Sequence, residues 1–468
     1  MLFSSMTFLF VFMPLVMAVY FLSKKEIRNY VLLIASIIFY AWGEPRYLAI
    51  MIITILVNYA GAILLDKHYS SRQRLWIVSL TVVLDLSFLF YFKYFNFVVD
   101  NINGVLVTDF QLLDVIMPIG ISFYTFQAMS YLIDVYRREV PAQKDVYKLA
   151  LYIVLFPQLV AGPIVKYHDV CEQIDNRTIE FKNVIIGFKR FITGLAKKVL
   201  IANTLAEVVD KIFAQAPENL TTGVSWLGAV AYCLQLYYDF SGYSDMAIGL
   251  GLMFGFRFLE NFNYPYISKS ITEFWRRWHI SLATWFKLYL YIPLGGNRKG
   301  AVRTYWNLFA VFLVTGIWHG AAWSYVAWGI WNGIFIVIER FFGLDKDKND
   351  RWYFSAAKHV YAFFAIVWGM IIFRAESLSY AYEYICRMLH IDVTKHLPDY
   401  DYGVNNKFAI MLIVGLICAM PVCRNLIYIK YEHKVQRTLV NIWLFLLFFW
   451  STISLAASTY NPFIYFRF

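Results

Sequence analysis

Between Arg303 and Glu339 the chain runs for about 35 residues, Thr304 to Ile338, without one Asp, Glu, Lys or Arg. As a helix rising about 1.5 Å per residue, such a run is far longer than the hydrocarbon core of about 30 Å. It is too apolar for water and too long for one crossing, so it must break. Uncharged runs near the length of about 20 that a span needs recur from end to end. With 60% of residues hydrophobic and only 16% charged, against roughly a quarter charged in soluble domains, an ordinary soluble enzyme is excluded. The sequence predicts an all-α polytopic membrane protein, residues 1–468 forming a single membrane domain without internal repeat, low-complexity tract or soluble module.

The formal charge of +11 therefore carries no nucleic-acid signal. The basic residues collect in loops between spans, as the positive-inside rule expects of cytoplasmic loops, and the surrounding partner is membrane lipid. Cys171, Cys233, Cys386, Cys418 and Cys423 show no CxxC spacing and no disulfide framework. They read as buried small hydrophobes, and no metal site is expected.

Charge alone threads the chain. Met1–Ser23 lacks a basic n-region and leads into Lys24, Lys25 and Arg28, which makes it a retained first span with the N-terminus outside. Tyr30–Trp42 and Tyr47–Leu65 form a hairpin, Leu75–Phe92 goes out and Val115–Ile133 returns. Leu149–Val165 has basic residues on both sides, so it cannot be a simple span. Pro157 and Pro163 each remove a backbone donor, which predicts a re-entrant segment. Phe181–Phe213 is too charged to span and predicts an amphipathic helix at the interface. Val224–Phe256, about 50 Å as helix, is expected to break at "YYDFSGYSD", Tyr237–Asp245; Thr304–Ile338 is expected to break at "GIWHG". Ala357–Phe373, Phe408–Val422 and Thr438–Ser458 complete about twelve spans, with both termini outside.

Ionisable groups inside apolar spans cost about 2.5–3.5 kcal/mol each and by default suggest function. Asp85 reads as a structural hydrogen bond or interhelical pair. Asp239 and Asp245 flank Ser241 and Gly242, where they would either cap two half-helices or bind substrate. His319 is fenced by Gly316, Gly320, Trp318 and Trp323, as a wet turn or as a buried base. His279 lies in Ile271–Gly300, whose aromatic residues follow helical spacing and suit an interfacial belt. On that helix it shares a face with Arg276 and Ala283. His68, His168, His359, His390, His396 and His433 sit in loops or at span ends and carry no signal.

"FWRRWHISLATWFKLYLYIPLGGNRKG" (Phe274–Gly300) followed by "GIWHGAAWSYVAWGIWNG" (Gly316–Gly333) resembles the membrane-bound O-acyltransferase superfamily. "MPIGISFYTFQAMSYLIDVYRR", "FPQLVAGPIVKY", "YYDFSGYSDMAIGLGLMFGF" and "NPFIYFRF" extend the likeness over nearly the whole chain. They narrow it to the bacterial branch of alginate and peptidoglycan O-acetylation. The resemblance implies tilted helices around a funnel and tunnel, His319 as catalytic base, and His279 as the second polar catalytic position. A hydroxyl attacks a thioester poorly until a base takes its proton, and neutral imidazole with a pKa near 6.5 suits that task.

The function expected on this resemblance is acetyl transfer from cytoplasmic acetyl-CoA, a co-substrate rather than a bound cofactor. The group would go toward an extracytoplasmic polysaccharide, through a separate extracytoplasmic acetyltransferase or esterase-like partner, at a bacterial cell membrane. Arg276 and Arg277 would attract the donor's phosphates. D-alanyl transfer from a carrier protein to teichoic acid is the nearer alternative. A transporter is the alternative of another class, since broken helices and intramembrane carboxylates also occur there.

The charge map is directly testable. It places the Lys67–Arg74, Arg137–Lys148 and Asp345–Arg351 loops inside and the Glu376–Asp401 loop outside. A cysteine at Ser71→Cys should stay unlabelled when intact cells meet an impermeant thiol reagent, judged against the unsubstituted chain. Labelling from outside overturns the map.

Overall fold

The computed structural model describes residues 1–67, 70–345, 351–389, 400–423, 434–458 and 460–464. His68, His390, His396 and His433 lie outside the described residues, as do the last four positions of the terminal motif, the Cys423 side chain and parts of three mapped loops. Every regular element among the described residues is helical. Among the described residues four helices are long and apolar enough to cross a bilayer: Pro45–Asp66, Ser71–Leu106, Trp352–Arg374 and Val435–Ala457. The described residues cluster into two compact units, Met1–Phe191 with Tyr243–Leu259, and Ile192–Gly242 with Glu260–Phe468.

In the first unit α1 (Met13–Leu22), α2 (Arg28–Ala41) and α3 (Leu48–Asp66) lead into α4 (Ser71–Leu89). Ser70 and Gln73 start α4 with reciprocal capping bonds. A π-helical turn, Phe90–Tyr94, carries it on into α5 (Phe95–Leu106), well past the expected end at Phe92. The next helix, α6 (Ile121–Arg137), is buried on nearly every face, so its apolar run is a core signal. Asp85 of α4 accepts two bonds from the Asn58 amide at 2.9 and 3.0 Å, which supplies the structural partner its burial demands.

Leu149–Val165 is broken as its prolines predict. α7 (Val146–Val154) stops at Leu155, α8 (Phe156–Leu159) is a single turn, and the chain then turns before α9 (Tyr167–Asn176). Phe181–Phe213 is helical as expected, and its second half is more deeply buried than a surface helix. It is one helical path: α10 (Phe181–Ala196), a π-helical segment, and α11 (Asn203–Phe213). Its start is exposed, but most residues from Leu195 on are buried. Arg190 and Lys198 turn inward, because they have partners, while Lys182, Glu207 and Lys211 stay exposed.

Those partners lie on α12 (Thr222–Met253), and they overturn the expected break at Tyr237–Asp245. The helix runs unbroken through it. In the first unit Gly187 meets Gly249, where an added Cβ would come within 2.5 Å of the Gly249 carbonyl oxygen. One turn away Arg190 pairs with Asp245 at 2.9 Å. In the second unit Gly242 meets Gly194, and one turn away Lys198 pairs with Asp239. The glycines and carboxylates of "YYDFSGYSD" thus serve close helix packing rather than helix ends. No backbone donor is freed, and neither Asp caps a half-helix.

The second unit continues with α13 (Ile271–Arg277), α14 (Ile280–Phe286), α15 (Ala301–His319) and α16 (Trp323–Phe342). After them come α17 (Trp352–Arg374), α18 (Leu378–Met388), α19 (Asn406–Cys418) and α20 (Lys434–Ala457). The break expected in Thr304–Ile338 falls at Gly320–Ala322, and α15 packs back against α16. Of the cysteines described, only Cys233 is buried; Cys171, Cys386 and Cys418 are partly exposed on helix surfaces, which corrects the reading of all as core residues.

Gly242 separates the two views of α12. At a free helical site Gly→Ala stabilises by about 1 kcal/mol. Here the new Cβ would lie 2.7 Å from the Gly194 carbonyl oxygen and 3.0 Å from the Lys198 nitrogen, both backbone atoms. Overpacking costs about 1–3 kcal/mol, so Gly242→Ala should lower the thermal midpoint in detergent. A raised midpoint would return the segment to a loosely packed break.

Candidate active site

His319 is the last residue of α15, and Gly320 and Ala322 are extended before α16 begins at Trp323. The glycines here act through space rather than through φ. An added Cβ at Gly320 would collide with the Tyr325 ring, and one at Gly316 with the Tyr325 carbonyl and with Gly329 of the facing helix. The hairpin therefore closes tightly and carries the imidazole inward, where it is 6% exposed. Three rings stand edge-on to it: Trp318 at 4.9 Å, Trp328 at 5.0 Å and Phe373 of α17 at 5.2 Å. This is a buried cage, not a wet turn.

His279 departs most from the helical-stripe reading. α13 ends at Arg277, Trp278 is extended, and His279 takes a left-handed conformation with φ 45° and ψ 53° before α14 starts. The shared face with Arg276 and Ala283 therefore does not form. A left-handed backbone is uncommon for residues other than glycine and marks a position held by its surroundings. The segment Asn261–Asn263 does the holding. Asn261 O accepts from Ile280 N at 3.0 Å, and Asn263 N donates to Arg277 O at 2.9 Å.

The His279 side chain is 1% exposed and its ring meets Phe240 of α12 edge-on at 4.6 Å. It lies between two seven-residue helices, neither of spanning length. Burial pushes its pKa down to about 3, so the imidazole is neutral at cellular pH.

The two histidines belong to one unit and are tied by side chains of α16. Glu339, fully buried, accepts from Ile271 N and Thr272 N at the start of α13 and from the Tyr361 hydroxyl. Asn332 accepts from the Trp275 indole at 3.0 Å, and Trp275 stands edge-on to Trp328, the same ring that contacts His319. Ser270 caps α13 by accepting from Glu273 N. The spacing Ser270 to Glu273 is a readable helix start; the Glu339 and Asn332 anchors carry no local signal.

The remaining predicted residues separate. Arg276 is exposed. Arg277 binds Glu273 at 2.9 Å and donates to Asn263 O at 3.1 Å. Asp245 is paired with Arg190. Asp239 is occupied twice, by Lys198 and by Ile464 N at 2.9 Å. Lys198 also donates to Asn203 Oδ1 and Pro462 O, and the Asn203 amide donates to Asn461 Oδ1. This polar knot ties Asn461–Ile464 into the unit. Sequence reading gave Asp239 no such partner.

Removing the Glu339 carboxylate tests the α13 anchor. Glu339→Ala strands two backbone donors, each worth about 1–3 kcal/mol when buried and unsatisfied. The thermal midpoint should fall clearly, with Glu339→Gln intermediate. An unchanged midpoint for the alanine variant would remove the anchor.

Comparison with known proteins agrees with this architecture. Residues 37–382 match the model of MBOAT, the membrane-bound O-acyltransferase family. The chain is 43% identical to the probable alginate O-acetylase of Pseudomonas putida over 100% of both chains. It is 32% identical to the peptidoglycan O-acetyltransferase of Helicobacter pylori, over 93% of this chain and 89% of that one. Against the teichoic acid D-alanyltransferase of Bacillus subtilis it is 28% identical, over 55% of this chain and 69% of that one. The transporter alternative loses its broken α12 and meets a family of acyl-transfer enzymes. The chain belongs to the membrane-bound O-acyltransferase family and is a membrane O-acyltransferase.

Proposed function

We propose that the protein transfers acetyl from cytoplasmic acetyl-CoA toward an extracytoplasmic polysaccharide, at a bacterial cell membrane, with His319 as general base and His279 as its catalytic companion. The observation that carries this reading is the seating of His319 in a closed ring cage at the tip of a glycine-tightened hairpin. An imidazole so placed is shielded from bulk water. Greater identity and coverage toward the two O-acetylating relatives than toward the D-alanyl one favour acetyl as the group.

In the proposed step His319 takes the proton of the attacking hydroxyl as its oxygen adds to the thioester carbonyl. The carbon–sulfur bond then breaks, and the thiolate leaves and is protonated. His279 hydrogen-bonds the reacting groups. Arg276, exposed at the end of α13, is the cation we assign to the donor's phosphates. Arg277 shares that charge while its guanidinium is held by Glu273. We assign Asp239 and Asp245 to ion pairs that shape the helix core rather than to substrate. The shorter apolar helices complete a spanning set of about twelve around a funnel and tunnel, and a separate extracytoplasmic partner finishes the transfer to the polymer.

Thiol release from acetyl-CoA in reconstituted membranes tests this reading, with polymer acetate measured in cells. General-base catalysis contributes about 10²–10⁴-fold, so His319→Ala should lose activity on that scale while inserting and purifying normally. The double variant with His279→Ala should be little worse, because residues acting as a unit are non-additive. Wild-type release by folded His319→Ala removes the base. Release only from a carrier-protein thioester moves the reading to D-alanyl transfer.

A further inference from the structure

Asn261 lies 18 residues before His279, outside the motifs that identify the family, and its side chain is 1% exposed. Its Oδ1 faces three groups: Ser281 N at 3.2 Å, Ser281 Oγ at 2.9 Å and His279 Nδ1 at 3.1 Å. Ordinarily an amide's oxygen and nitrogen are hard to tell apart, and a histidine's tautomer must be inferred. Here the backbone decides both. Ser281 N–H can only donate, so the amide atom facing it is the oxygen. An oxygen cannot donate, so Nδ1, facing the same atom, must carry the proton.

We propose that Asn261 is a positioning residue that locks His279 in the Nδ1–H tautomer and so presents a bare Nε2 to the reaction. A neutral imidazole in this tautomer is a hydrogen-bond acceptor at Nε2 and has no donor there. It therefore cannot stabilise a thioester carbonyl or the oxyanion formed from it. It can receive the hydrogen bond of a hydroxyl. The assignment rests on the acyl-transfer reading and deepens it: His279 orients the acceptor hydroxyl, or the proton relayed from it, rather than the acyl donor.

Backbone and side chain cooperate in this. Asn261 O holds Ile280 N while Oδ1 holds Ser281 N and the His279 ring, so one residue fixes both the left-handed turn and the imidazole's rotation. Ser281 adds a hydroxyl that donates to the same oxygen. An acceptor held against one ring nitrogen fixes tautomer and ring orientation in the same way at metal-binding histidines.

The experiment pairs a spectroscopic readout with kinetics. Nitrogen NMR of protein labelled at histidine, with the His279 signals assigned by their loss in His279→Gln, should show Nδ1 protonated and Nε2 bare. Asn261→Ala should lower kcat for thiol release by about tenfold or more, leave the KM for acetyl-CoA within about threefold, and mix the tautomers. Asn261→Asp keeps an acceptor oxygen in place and should recover activity above the alanine variant with Nδ1 still protonated. If Asn261→Ala does not fold, the wild-type spectrum and the aspartate variant still decide. A protonated Nε2 in the wild type, or a folded Asn261→Ala with wild-type kcat, overturns the proposal. If acetyl-CoA proves not to be the donor, wild-type release fails but the spectrum stands, which keeps the two failures apart.

Discussion

A charge buried without a partner is among the most costly things a folded chain can contain. This protein buries several in helices that are otherwise apolar. The solution recurs in each unit: a pair of glycines brings α10 and α12 backbone to backbone, and one turn away a carboxylate and a cation are left within bonding distance. Without the glycines the helices would stand further apart and the ions would lose contact. Without the ions the glycines would merely be poor helix formers. The two devices stand or fall together. They let a helix of 32 residues keep its full hydrogen-bond ladder through a stretch that looks like a break.

That stretch shows why part of the fold was legible and part was not. Small residues and carboxylates inside an apolar run carry a true signal that something polar happens there. The sequence of one helix cannot say whether freed backbone or another helix supplies the partner. Lys198 lies 41 positions before Asp239, in a segment whose own charge suggested a surface helix. The prolines of Leu149–Val165 and the apolar excess of Thr304–Ile338 were readable because proline's missing donor and bilayer thickness are local constraints. So were the long spans α3 and α17, whose ends are marked by charge.

At the candidate site both histidines stood out in the sequence as buried titratable groups, but the geometry of one did not. His319 ends its helix where the glycines place it. His279 sits in an unbroken helical period of aromatic residues, and nothing nearby announces a left-handed turn. The turn is imposed from a distance, by Asn261, Asn263 and the Glu339 and Asn332 side chains that seat α13. Strain at a residue other than glycine persists only where such contacts over-determine it. Trp278, one ring of the stripe that looks like a continuous helix, packs against Phe262, Tyr266 and Phe274 beside the turn.

The knot around Lys198 and Asp239 has a consequence for biogenesis. Two of its acceptors and a backbone donor come from Asn461–Ile464, at sequence separations of 225 to 264 residues. A ribosome adding about 5–20 residues per second leaves a lysine and an aspartate waiting for many seconds before those groups emerge. In that interval the ion pair has each other, Asn203 and whatever water surrounds them. Completion of the unit is thereby timed to late synthesis. A chain cut short near residue 460 would keep the charge pair but lack the C-terminal groups that complete its bonding.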